Sequence, residues 1–94
     1  MKVHLKIEQD KVHVDETFTG GNAEEVVGKM KARVTRELPF AMRLVVSAMS
    51  NLMFAQEVVK RYNEAQQKNV PLPKTCAEFL QHAQEQGLAK IEEI

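Results

Sequence analysis

Ninety-four residues bound the chain to one domain, spanning 1–94, that can bury roughly 60–65% of the surface its unfolded form exposes. A composition of 44% hydrophobic and 28% charged residues, with 4 Gly and 3 Pro, excludes intrinsic disorder and implies a real core. Thirteen basic and thirteen acidic side chains cancel, which excludes a global field drawing in nucleic acid or an anionic membrane and removes the self-repulsion that keeps many small proteins monomeric.

The opening MKVHLKIEQ alternates polar with apolar residues instead of forming a signal peptide's apolar run, and the single cysteine, Cys76, leaves no internal disulfide; the expected location is cytoplasmic. Val3, Leu5 and Ile7 share one face of a strand, and Val12, Val14 and Phe18 continue the period after a polar break. That pattern predicts a hairpin. A two-residue turn at Gln9-Asp10 sets Ile7 opposite Val12, Leu5 opposite Val14 and His4 opposite Asp15, although Gln-Asp is not a favoured turn pair and a longer loop would shift the register. Gly20-Gly21 then frees the backbone, Asn22 is a good N-cap, and Glu25 completes a capping box. A helix follows in which Ala23, Val26, Val27, Met30, Val34 and Leu38 form one stripe about 120° wide, suited to packing on the hairpin, until Pro39 ends or bends it.

The stretch LPFAMRLVVSAMSNLMFA, residues 38–55, holds thirteen apolar positions of eighteen, but Arg43, Ser47, Ser50 and Asn51 interrupt it behind a proline, so a membrane span is not expected. On a helical wheel its apolar positions from 40 to 49 cover about 240°, the pattern of a short helix buried nearly all round. Beyond Ser50 the apolar stripe, now Phe54, Ala55, Val58, Val59, Tyr62 and Ala65, turns by about 90°, more than helical drift explains. A break at Ser50, itself a suitable N-cap, separates a buried helix over 40–49 from a surface helix over 51–67.

NVPLPKT, residues 69–75, is an extended connector in which Val70 and Leu72 can touch the core. Thr75 and Glu78 form a second capping box, Cys76, Phe79, Leu80 and Ala83 make an i, i+3, i+4, i+7 stripe, and Gly87 suits the helix stop. The tail LAKIEEI reads as a short strand beside the hairpin with Ala89 and Ile91 inward, or as a last helical turn; the strand is favoured. The fold class is therefore α+β: an N-terminal β-hairpin covered on one face by four helices, with a short C-terminal strand in the favoured reading.

Candidate chemistry is sparse. Cys76 at a helix N-terminus is exposed to a dipole that lowers a thiol pKa, yet it also lies on the apolar stripe, where free cysteine packs as a small hydrophobe. His4, His13 and Asp15 share the polar face of the hairpin and offer a weak divalent-metal set without a ligand-spacing signature. Lys29, Arg33 and Arg36 line one flank of the first helix and can meet phosphates, but Glu25 and Glu37 dilute them, and neither an aromatic pattern nor a binding motif accompanies them. Gly20-Gly21 lacks the fingerprint of an anion cradle, and Tyr62 fits a core edge or a groove rim.

Met42, Val45, Val46 and Met49 admit two readings of equal weight: the hairpin and the other helices cover this face completely, or one small core leaves it open as a contiguous apolar patch of the kind that marks an interface. With Met53 these residues form the candidate contact surface of a non-catalytic interaction or regulatory module that pairs with itself or with another protein and needs no cofactor. The alternatives are a small-ligand binder or enzyme with a pocket between helices and hairpin, involving Cys76, and a weak nucleic-acid binder.

Overall fold

Alternating apolar residues form the sheet, as the sequence requires. The computed structural model describes residues 1–9 and 12–92, with β1 spanning Lys2–Gln9, β2 Val12–Thr19 and β3 Ala89–Glu92. The sheet order is β2-β1-β3, with both neighbours antiparallel to β1. The tail is thus a strand, and Ala89 stands opposite Leu5 and Ile91 opposite Val3.

The hairpin register differs from the one expected. Gln9 is still in the ladder, opposite Val12, so the connection falls on residues 10–11, which lie outside the described residues. Ile7 faces Val14 instead of Val12, and Val3 faces Phe18. The displacement is by two residues, an even number, so every side chain keeps its face. Packing explains the choice: the observed register sets Phe18 against Val3 within the core, where the expected one would have carried Phe18 out to Met1. Glu16 is an acid on the inward face in either register; here it stands opposite Leu5, and Arg33 from the first helix neutralises it.

Four helices follow: α1 (Ala23–Arg36), α2 (Phe40–Ser47), α3 (Asn51–Gln66) and α4 (Cys76–Glu85). Their ends follow the capping chemistry. Asn22 Oδ1 accepts from Glu25 N at 2.9 Å, Ser50 Oγ from Met53 N at 3.1 Å and Thr75 Oγ1 from Glu78 N at 3.0 Å. At the far end of α4, Gly87 takes φ 77°, Leu88 N donates to Ala83 O at 2.8 Å and Gly87 N to Gln84 O at 3.1 Å. This is a Schellman stop that turns the chain straight into β3. Asn63 clamps the connector, donating to Val70 O and accepting from Val70 N.

α1 lies against β2, α4 against β3, and α3 packs on both helices. Val26, Val27, Met30, Leu80, Val3 and Leu5 are all but inaccessible at their meeting point. Truncating any of the larger ones to Ala costs about 2–5 kcal/mol by the usual cavity scale. The opposite face of the sheet, carrying His4, Lys6, His13, Asp15 and Thr17, is exposed.

α2 does not match its expected burial. Only Val46 is buried on it, while Phe40, Leu44 and Val45 are open to solvent. The apolar stripes of α1, α3 and α4 already cover the inward face of a narrow sheet, so α2 is left packing chiefly along α1. The break at Ser50 is observed, and it allows α2 and α3 to point different apolar sides at the body.

Candidate functional site

Pro39, with no N–H to satisfy, opens α2 directly after the tight end of α1, where Glu37 N donates to Val34 O and Leu38 N to Thr35 O. Two cations then tie α2 and its trailing turn to α1. Arg43 donates from Nε to Leu38 O at 2.8 Å and from Nη2 to Arg36 O at 3.2 Å, satisfying carbonyls at the α1 C-terminus. Lys31 Nζ donates to Met49 O at 2.7 Å. With Val46 as the single buried side chain, α2 is held largely by polar links.

Beneath α2 lies an apolar cleft of about 390 Å³. Met42, Val46 and Met49 roof it, while Ile7, Val34, Phe54 and Val58 form its floor and walls. Glu37, Glu57 and Arg61 stand at its edge already engaged: Glu37 accepts from Arg33, and Glu57 pairs with Arg61 at 3.4 Å. The side of α2 turned away from the cleft is also apolar. Phe40 is 73% exposed, Leu44 62% and Val45 54%, and Met53 in the first turn of α3 is 56% exposed. Ala41, Leu44, Val45 and Ala48, all exposed, fall at i, i+3, i+4 and i+7 and make an outward stripe opposite the inward one.

The candidate interface residues thus divide. Met42, Val46 and Met49 are buried or half-buried over the cleft, Val45 lies between the two sides, and Met53 is exposed. Phe40 and Leu44, the most exposed large apolar side chains, were not singled out by the sequence. The available signal was a helix apolar on two sides in a chain whose other three helices already had enough apolar surface to cover the hairpin.

Cys76 lies elsewhere, at the base of α4, and is buried. Its Sγ donates to Glu24 Oε2 at 2.9 Å; burial first, then that carboxylate, pushes the thiol up to about 12. Desolvation and a neighbouring anion outweigh the helix dipole, so sulfur keeps its proton at neutral pH. Glu24 also accepts from Asn51 Nδ2 at 3.1 Å and so links the first turns of α1, α3 and α4. Gly28 leaves room for that amide, since a Cβ there would stand 3.1 Å from it.

His4 reaches Asp15 diagonally, Nε2 to Oδ1 at 2.7 Å, while its directly opposite neighbour is Thr17. His13 stands opposite Glu8, and among the described residues no group of three or more His, Cys, Asp or Glu is arranged to hold a metal ion. On the basic flank of α1, Lys29 donates to Thr19 O and Arg33 binds Glu16 and Glu37. Glu16 first and then Glu37 hold the Arg33 guanidinium above its ordinary range. Tyr62 is buried, its hydroxyl meeting Gln86 and Lys68, beside a pocket of about 30 Å³ next to His82. No helix among the described residues is long and apolar enough to cross a membrane.

Fold and site together define a small α+β domain with a capped three-helix layer, an apolar cleft, and an apolar helix over it. Comparisons with protein-family models, with curated proteins and with solved structures return no match.

Proposed function

We propose that the chain is a non-catalytic protein-interaction module whose working surface is α2, and that it associates with a second copy of itself. The observation that carries this reading is the outward side of α2, where Phe40, Leu44 and Val45 are each more than half exposed and contiguous along one helix. Fully covering a side chain of this size is favourable by about 1.5–3 kcal/mol. An apolar stripe left in water by its own fold is therefore a surface with a strong preference for a partner. Zero net charge leaves no long-range repulsion between copies.

A second reading has its own observation. A cleft of about 390 Å³ with apolar walls, between helices and the end of β1, lies in the size range of small-molecule pockets. Its edge charges are paired with neighbouring side chains, which favours an uncharged apolar ligand.

One experiment separates the two, because Leu44 points away from the cleft. Light scattering on a size-exclusion column, run over a concentration series, is expected to show the mass rising toward twice 10.7 kDa for the native chain and staying at 10.7 kDa for Leu44→Glu. A native chain that stays monomeric throughout sinks the interaction reading. If both proteins are then monomers, and an uncharged apolar probe raises the melting temperature of each alike, the cleft is the functional site.

A further inference from the structure

We propose that the apolar cleft and the small pocket beside His82 form one site for a neutral straight-chain alcohol, its chain under α2 and its hydroxyl donating to His82 Nδ1. This rests on the reading of the cleft as a ligand site and holds whether or not α2 pairs with a second copy. Ile7 near the end of β1 and Val58 on α3 line both spaces, so the two adjoin across this pair. A helical valine is nearly fixed at χ1, whereas a strand side chain has two common χ1 settings, so Ile7 is the side chain whose turn joins them.

The polar end carries the inference. His82 Nε2 faces Glu78 Oε1 at 3.7 Å, so the carboxylate favours the ring proton on that nitrogen and leaves Nδ1 as an acceptor. Nδ1 is buried and, among the described residues, has no hydrogen-bond partner. The nearby Tyr62 hydroxyl already donates its proton to Gln86 Oε1. A buried acceptor without a donor is costly, so a ligand that brings one gains more than an ordinary hydrogen bond gives. The pocket beside it, about 30 Å³, has room for one hydroxyl, since a water needs only about 10–15 Å³.

The cleft sets the rest of the ligand. Met42, Val46 and Met49 above and Val34 and Phe54 below present apolar side chains, and thioethers adapt to a flexible chain. An apolar cavity of about 150 Å³ holds benzene, so about 390 Å³ accommodates a chain of about ten carbons. A carboxylate head would set a second anion beside the His82–Glu78 pair, and an ammonium head would be buried without a counter-ion. The head is therefore neutral.

Three probes of matched chain, 1-decanol, its methyl ether and decanoate, test the site by NMR titration of the native chain. Amide shifts of Val46 and Phe54 report occupancy of the cleft, and the Nδ1 resonance of His82, one of three histidines, reports the head group. The alcohol is expected to bind about ten-fold more tightly than the ether, which lacks the donor, and to move the Nδ1 resonance where the ether does not. In His82→Phe the preference is expected to fall to within about two-fold while the cleft shifts persist; should that variant not fold, the native titrations decide alone. Equal affinities with an unmoved Nδ1 resonance, or a preference that survives His82→Phe, overturn the placement of the hydroxyl and leave the cleft as a ligand site. Tighter binding of decanoate than of 1-decanol overturns the neutral head. Unchanged Val46 and Phe54 amides with all three probes overturn the cleft reading itself.

Discussion

Cys76 illustrates how two side chains far apart in sequence set the chemistry of one atom. Its place on the apolar stripe of α4 is legible in CAEFLQHA, but Glu24 lies 52 residues away, and only the packing of α1 against α4 reveals the pairing. The consequence is a pH dependence of definite sign. The folded thiol titrates near 12 and the unfolded one near its ordinary value of 9.0, so the folded state holds the proton more tightly. The stabilisation is complete below about pH 9 and is lost as pH rises through about 12. Urea unfolding of native chain and Cys76→Ala between pH 8 and 11 is therefore expected to show the native stability falling more steeply, by about 1 kcal/mol per pH unit, with the two slopes converging below pH 8. Parallel slopes would show that the Cys76 thiol does not carry this pH dependence. Arg33 and Glu16 carry the same lesson: the acid interrupts the inward alternation of β2, and nothing local in DETFT names the guanidinium that compensates it.

Among the elements, helix ends were the most legible parts of the chain. Asn22, Ser50, Thr75 and Gly87 each sit where their side chain or lack of one is needed, because capping is settled within a few residues. The hairpin register was not, since two registers two residues apart present identical faces and differ only in which inward residues meet. Ser50 has the larger structural role of the caps, as it starts α3 at the point where the chain changes the side it buries. Ser50→Ala is expected to lower stability by about 1 kcal/mol in urea unfolding without altering the fold, by leaving Met53 N unpaired at the helix start. A loss well above that value would mean that the α2–α3 junction is held by the cap alone and not also by Val46, Arg43 and Lys31.

At the scale of the whole molecule, the sequence revealed that residues 38–55 were too apolar for an ordinary surface and left their cover undecided. A wheel reports which sides of a helix are apolar and is silent on how many of them the rest of the chain can reach. With α1, α3 and α4 already covering the sheet, α2 turns one apolar side over a cleft and the other to water. This outward side is where the proposed second copy would bind. Amide NMR spectra across a dilution series, from millimolar to tens of micromolar, measure this most directly, since a weak pair exchanges within that range. Concentration-dependent shifts concentrated on residues 40–53 and abolished by Leu44→Glu are expected. Spectra that do not change with concentration, or shifts that gather instead on the open face of the sheet or along β2, would contradict it.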